Sequence, residues 1–460
     1  MTLIIFGEII LDRYFISSTN RKAPEFDIPI YNVNKIEDKL GGASNVAFNL
    51  NKHTDILFIS VLGNDDISKT IINILKTHDI KNKIFISNRK SIVKNRTICN
   101  NEIVHRLDYE DTYDIPDSLI EEILLYFQNI IKEEKPDGLI ISDYNKGIIP
   151  HKLCRNLIEL CNKNDIYTFI DPKVNDIYKY KNCTFIKPNL IEAKAFIPNI
   201  IDEYAILKKL YNELECKYLL ITKGSDGMIG YDETSIINIK HDNTINVVDV
   251  TGAGDIVISV FSYIYTKTKD FYFSSSISNY IAGKSVQTIG NYIFTFEDTI
   301  SYNKIIHSNQ IEIIKNLRKM HDFIVFTNGC FDIMHIGHLK LLKYCKSLGG
   351  ILVIGLNSDS SIKQLKGNNR PINNETDRIE FIKLLGIVDY IIIFNELTPF
   401  DIIKNIQPDI LVKGSDYCLE NVIGREYSKK ILFYELVENK STTNIIKKIE
   451  NNNNDNKYNP

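Results

Sequence analysis

Two short stretches of the chain carry residue types at spacings that could do chemistry. From Val247 to Ser259 the sequence reads VVDVTGAGDIVIS, a Gly-Ala-Gly turn leading into an apolar, helix-forming run with a carboxylate at its start. Gly252, Ala253 and Gly254 would let backbone amides approach a ligand closely, and the positive end of the helix would point at whatever fills the turn. That arrangement suits a phosphoryl group in flight, with Asp255 accepting the proton of an attacking hydroxyl. A plain tight turn followed by an aspartate favoured by the helix dipole is the competing explanation. The second stretch, TNGCFDIMHIGHLKLL from Thr327 to Leu342, sets His335 and His338 around Gly337 after a strand and at the mouth of a helix. Two imidazoles there could donate to phosphate oxygens and stabilise the charge that builds on an α-phosphate as pyrophosphate leaves. Zinc ligation competes, but no further cysteine or carboxylate stands at ligand spacing, and a helix start favours anions.

The surrounding elements must hold these residues. From Met1 to about Gln287, short β-branched runs such as LIIF, DGLIIS, YTFIDP and YLLIT alternate with helix-period stretches such as SLIEEILLYFQNIIKEE. This alternation predicts a parallel sheet flanked by helices, with the apolar N-terminus as a buried first strand. A second, smaller α/β alternation starts near Asp322 with DFIVFTNG and continues through ILVIGLNSD, DYIIIF, DILVKG and ILFYEL. Residues Thr295 to Lys319 are polar and partly helical, without a strand-like run, and predict the interdomain connection. The expected organisation is therefore a first domain over 1–300, a linker over 301–318, a second domain over 319–450 and a disordered asparagine-rich tail over 451–460.

Composition narrows the function classes. The chain has 460 residues, enough for two cores, and its 55 basic and 58 acidic residues leave a formal charge of -3. No domain-sized basic block is present, so no nucleic-acid partner is expected. The eight cysteines include no C-x-x-C pair and no regular framework, as in a reduced, cytoplasmic protein. No run of about eighteen apolar residues occurs, and no membrane span is expected. Heavy use of Ile, Asn and Lys, with no Trp, reads as a nucleotide-composition bias.

DVTGAGD resembles the signature of the ribokinase family of sugar kinases, and further landmarks follow in that family's order. GEIILDRY supplies Asp12 at the end of the first strand, where the resemblance implies a hold on sugar hydroxyls. KLGGASNVAFNL supplies Gly41 and Gly42 as the sugar-facing glycine pair and Asn45 for one hydroxyl. FIKPNLIEAK supplies Asn189, Leu190, Ile191 and Glu192 beside the ATP phosphates, with the glutamate acting on Mg²⁺ through water. LLITKGSDGMIGY supplies Thr222, Lys223, Gly224 and Gly227 near the nucleotide. The runs SDYNKGII and IDPK resemble the heptose kinase branch, and imply that Lys146 and Lys173 serve a phosphorylated sugar. The arginine-rich lid segment of that branch is blurred here, as TNRKAPEFDIPIY.

The second half resembles the cytidylyltransferase-like family, whose H-x-G-H motif follows a strand ending in G-x-F-D, here Gly329, Phe331 and Asp332. The resemblance implies nucleotide binding by Asn357, Asp359, Lys366, Arg370, Arg378 and Lys413, and by Ser441, Thr442 and Thr443 at a helix start. Gly414, Ser415, Asp416 replace the family's usual GGD. The order of the two halves resembles the bifunctional heptose enzymes of lipopolysaccharide precursor synthesis. It implies a ribokinase-like domain and a Rossmann-like nucleotidyltransferase domain, ATP as substrate of both, Mg²⁺ without a fixed protein cage, phosphosugar substrates and a homodimer. The alternative is a fused kinase and transferase for another phosphosugar or polyol.

Overall fold

The computed structural model describes residues 1–173, 176–240, 245–302 and 304–435. Ser441, Thr442, Thr443 and the tail lie outside the described residues. The chain divides into two units, Met1–Phe296 and Glu297–Pro460.

The first unit carries β1 (Thr2–Gly7), β2 (Ile9–Lys22), β3 (Pro29–Gly42), β4 (Asp55–Gly63), β5 (Asn82–Ser87), β6 (Ile92–Cys99) and β7 (Glu102–Tyr109). It continues with β8 (Gly138–Ser142), β9 (Tyr167–Asp171), β10 (Phe185–Ile186), β11 (Tyr218–Thr222), β12 (Met228–Tyr231) and β13 (Ile236–Ile239). Nine of these form one sheet in the order β13-β12-β11-β10-β9-β8-β1-β4-β5. Its strands from β11 to β5 are parallel, while β12 and β13 close the edge antiparallel. Continuous apolar strands such as Leu3–Phe6 are buried because helices cover both faces. Helix Asp117–Glu134 shows how: Leu119, Ile120, Ile123, Phe127, Ile130 and Ile131 share its buried stripe. Full burial of a side chain such as Phe127 contributes about 2 kcal/mol.

Two expectations need correction here. The N-terminal apolar run is two strands, divided at the buried Glu8, and β2 leaves the main sheet for a second one of order β3-β2-β6-β7. Asp12 therefore lies within β2, paired in register with Lys39 and Lys94, and does not end the first strand. The separate sheet escaped sequence reading because stretches such as NKIEDK carry charges where an ordinary amphipathic strand would alternate.

The second unit holds β14 (Ile305–His307), β15 (Ile324–Gly329), β16 (Ile351–Asn357), β17 (Tyr390–Phe394), β18 (Ile410–Gly414) and β19 (Lys430–Tyr434). They form an all-parallel sheet in the order β14-β17-β16-β15-β18-β19. The expected linker over 301–318 belongs to this unit. Within it, β14 pairs with β17, and Ile314 and Leu317 of helix Ile311–Met320 join the core around Phe326 and Ile403. A three-residue strand followed by a short amphipathic helix gave too little periodicity to register as structure.

Candidate active sites

In each sheet the strand order reverses once, between β1 and β8 in the first and between β15 and β18 in the second, with successive strands leaving in opposite directions. The crevice beyond the strand ends at such a point is where open α/β sheets bind ligands. Both predicted motifs lie there.

In the first unit, Gly252 adopts φ 75° and starts helix Ala253–Thr268. This left-handed start is open to glycine at low cost and turns the first helical amides outward. Asp255, buried in the first turn, receives Nδ2 of Asn45 on one carboxylate oxygen at 2.9 Å and Oη of Tyr144 on the other at 2.8 Å. Burial, then the nearby Asp171, pushes its pKa up to about 6, against the pull of those two hydrogen bonds and of Lys187. Lys187 is itself buried and ion-paired with Asp171, 2.9 Å apart. A Cβ on Gly254 would sit 3.4 Å from Lys187 Nζ, so the cation borders the glycine turn. A carboxylate poised near neutral pH beside a buried cation and a helix N-terminus can take a proton while a phosphoryl group is held above it.

The nucleotide-side residues also converge. Asn189 caps helix Leu190–Phe196 and forms a reciprocal capping box with Glu192, at 2.8 and 2.9 Å. Glu192 is buried and paired with Lys173 at 2.6 Å, so it is not a solvated helix residue. Leu190 and Ile191 open the same helix, and Ile191 is exposed. Asn189 bridges to Thr222 at the end of β11. Beyond it, Lys223 pairs with Glu203 at 3.0 Å. Thr222, Gly224, Gly227, Val247, Val250, Ala253, Gly254 and Val257 line an apolar cavity of about 290 Å³, wide enough to take a flat aromatic base.

On the sugar side, Gly42 (φ 66°) precedes helix Ala43–Leu50, and a Cβ there would sit 2.4 Å from the carbonyl oxygen of Glu8. Gly41 faces Asp12, whose Oδ2 would lie 2.7 Å from a Cβ at that position. Asp12 is ion-paired with Arg96 at 2.5 Å. Asn45 spends its amide on Asp255 and its carbonyl on Asn291, 2.7 Å away, so it touches the base. Lys146 pairs with Glu110 at 2.5 Å.

Several residues here had no assigned role from sequence: Glu8, Tyr144, Lys187, Asn291 and the cations Lys94, Arg96 and Arg106. Lys94 and Arg96 alternate along β6, and Arg96 stands opposite Arg106 of β7. That like-charge pair costs energy unless anions offset it, and the period-two spacing in VKNR was the available signal. Lys94, half-buried, has its pKa lowered chiefly by burial, with Asp12 acting the other way.

In the second unit, His335 caps helix Ile336–Ser347 and His338 lies in its first turn, their rings stacked with centroids 3.9 Å apart. Burial first, then His335 and Lys366, push the His338 pKa down to about 4, so this imidazole is neutral at physiological pH and donates through one N–H. Its Nδ1 is buried without a hydrogen-bond partner among the described residues. Lys413 of β18 donates to Asn328 of β15 across the reversal point, and burial lowers its pKa to about 8. Gly329 ends β15, with the ring of Phe331 3.3 Å from where its Cβ would be, and Phe331 packs on His338 with centroids 5.3 Å apart.

Five residues expected at the nucleotide, Asp332, Asn357, Asp359, Arg370 and Arg378, instead bind one another. Asp332 accepts from Nε of Arg370 at 2.6 Å and from the amides of Ile372 and Asn373. Arg378 is wholly buried and donates to the carbonyls of Cys330, Asn357 and Asn373 and to Asp359 Oδ1 at 2.7 Å. Asn357 donates to Ser361 at 3.0 Å. Wholly buried and with four of its N–H donors used, Arg378 shapes the loops around the histidines.

No group of three or more His, Cys, Asp or Glu side chains placed to hold a metal occurs among the described residues. Among the described residues, no helix is long and apolar enough to cross a membrane.

Comparison with known proteins matches residues 2–297 to the pfkB family carbohydrate kinases and residues 326–454 to the cytidylyltransferase-like family. Over 468 residues the chain is 37% identical to the "Bifunctional protein HldE" of Aliarcobacter butzleri (strain RM4018), covering 98% of each. With the protein of the same name from Campylobacter jejuni subsp. jejuni serotype O:2 it shares 35% over 457 residues, 97% of each. Among solved structures, the ribokinase of Thermotoga maritima aligns with TM-score 0.52 at 17% identity, over 65% of this chain and 98% of its own. Phosphofructokinase-2 of Escherichia coli aligns with TM-score 0.54 at 13% identity, over 65% and 97%. These two likenesses show the ribokinase-like fold of the first unit.

Proposed function

We propose two reactions for this chain, which belongs to the family of bifunctional HldE proteins. Its first unit is a kinase that phosphorylates D-glycero-D-manno-heptose 7-phosphate at the anomeric hydroxyl, giving the 1,7-bisphosphate. Its second unit is an adenylyltransferase that joins heptose 1-phosphate to AMP, giving ADP-heptose and pyrophosphate. A separate phosphatase removes the 7-phosphate between the two steps.

In the kinase, Asp255 takes the proton of the anomeric hydroxyl as its oxygen attacks the γ-phosphorus of ATP. The bond to ADP breaks, and ADP keeps the electron pair. The amides of Gly252, Ala253 and Gly254, with Lys187, stabilise the equatorial oxygens during transfer. The base lies in the apolar cavity beside Val247 and Val250. Mg²⁺ neutralises the phosphates when bound, and Glu192 would hold it through water. Lys94, Arg96, Arg106 and Lys146, gathered around Asp12, support a phosphorylated sugar over a neutral one. In the transferase, an oxygen of the sugar phosphate attacks the α-phosphorus while His335 and His338 donate to its oxygens and pyrophosphate departs. The lysines Lys366 and Lys413 add positive charge at the same place. We assign ATP to both sites, the cytoplasm as the compartment, and a homodimer as the assembly.

The observation that carries the kinase reading is Asp255, buried at a glycine-started helix with a pKa near 6. The test is to supply ATP, Mg²⁺ and heptose 7-phosphate, then heptose 1-phosphate, and to identify products by mass. The bisphosphate and ADP-heptose are expected. Turnover of another phosphosugar or polyol with none of heptose would refute the substrate assignment.

A further inference from the structure

Asp255 has a second side-chain partner besides Asn45. Tyr144 follows β8 at the reversal point, and its hydroxyl donates to Asp255 Oδ1 across 111 residues of chain. Its own pKa is held well above the ordinary tyrosine value, by burial first and then by Asp255 and Asp171. The phenol therefore stays protonated and keeps its proton to donate to Asp255. It cannot rival Asp255 as base.

The turn that carries Tyr144 is held from below. Glu8, fully buried one residue after β1, accepts the backbone amide of Tyr144 on one oxygen at 2.8 Å and that of Lys146 on the other at 3.0 Å. Two amides on one carboxylate fix both the height and the tilt of the turn. Asp143 in the same turn is anchored separately, to Lys179 at 2.5 Å and Tyr180 at 2.7 Å. Burial, then Asp143, pushes the Glu8 pKa up to about 7, while the amides of Tyr144 and Lys146 and then Lys179 pull it back toward the ionised form.

We propose that Tyr144 is a positioning residue of the kinase reaction, set upon Asp255 by the clamp that Glu8 places on the 144–146 turn. With Asn45 on Oδ2 and Tyr144 on Oδ1, the carboxylate plane is fixed, and the ionised form is favoured against burial. The other charged groups facing Asp255 are Asp171 at the end of β9, Lys187 after β10 and Lys173 beyond β9. The phenol supplies the uncharged donor in that set that Glu8 controls. The inference rests on the kinase reading.

The test uses the full-length protein with ATP, Mg²⁺ and heptose 7-phosphate, and measures kcat and KM from pH 5 to 9 for the wild type, Tyr144→Phe, Glu8→Gln and the double variant. Tyr144→Phe is expected to lower kcat about tenfold at pH 7, to leave KM for ATP within about twofold, and to move the acid limb of kcat up by about one pH unit. Glu8→Gln moves the limb in the same direction, and the double variant moves it no further than Tyr144→Phe alone. A limb unmoved in Tyr144→Phe, or effects of the two substitutions that add in full, would overturn the proposal. Should Glu8→Gln not fold, the limb of Tyr144→Phe decides alone. The wild type separates the two readings: turnover of heptose 7-phosphate with an unmoved Tyr144→Phe limb sinks only the positioning role, whereas no turnover sinks the kinase assignment itself; activity retained in Asp255→Asn would remove Asp255 as the base.

Discussion

The buried Lys187 Nζ stands 2.9 Å from Oδ1 of the partly buried Asp171, beside Asp255. The lysine screens Asp255 from Asp171, and losing it leaves two carboxylates together in low dielectric. Lys187→Met should push the Asp255 pKa above its value of about 6 and lower kinase kcat at pH 7 about 100-fold. The variant should also lose ~3 kcal/mol of stability from the uncompensated charge. A pH-rate profile and denaturant unfolding of the same sample check both.

Asp255→Asn removes the proton acceptor and should reduce phosphorylation of heptose 7-phosphate by at least ~10³-fold. Transfer of AMP to heptose 1-phosphate should remain at the wild-type rate. In the wild type the carboxylate is the active form, so kinase kcat should fall as pH drops through about 6 and level off above it.

The reverse separation belongs to His338→Ala, with AMP transfer lowered about 10²–10³-fold and the kinase untouched. Since the His338 pKa is pushed down to about 4, this ring stays neutral from pH 5 to 8 and should add no limb to the transfer profile in that range. Steady-state rates of pyrophosphate release across that interval are the measurement.

Lys413 should contribute the basic side of that profile. Its pKa, lowered by burial to about 8, means that its charge is present below pH 8 and lost above it. KM for ATP in the transfer reaction should therefore climb between pH 8 and 9. Lys413→Gln should show the raised KM at every pH.

Arg378→Met tests the loop network around the histidines. It strands three backbone carbonyls and Asp359, and because Asp359 is about one-third exposed the cost sits at the low end for such breaks, ~3 kcal/mol. Unfolding of the second unit should shift accordingly, and transfer activity should fall with it.

The parts of the sites legible in the sequence were those a few residues define. A Gly-Ala-Gly turn ahead of Asp255, and His335 with His338 around a glycine, each fix their own backbone and so announce themselves. The partners of Asp255 could not be read in that way. Asn45 reaches it across 210 residues and Tyr144 across 111, and only the packed sheet brings them together. Lys187 was visible within FIKPNLIEAK, but a lysine after a strand reads as solvated until its burial is known. Arg378, which the family resemblance set at the nucleotide, spends its guanidinium on three carbonyls and on Asp359. The parallel, helix-flanked sheet was legible as alternation; the second sheet was not, because β2 and β3 carry charges on both sides.

Gly42 limits how far this sequence can wander. The chain is rich in isoleucine, asparagine and lysine. At Gly42 the nearest carbonyl would stand 2.4 Å from any added carbon, and the backbone turns to φ 66° besides. No codon drift toward asparagine could be absorbed there, so compositional pressure on descendants of this gene must stop at that residue or silence the kinase.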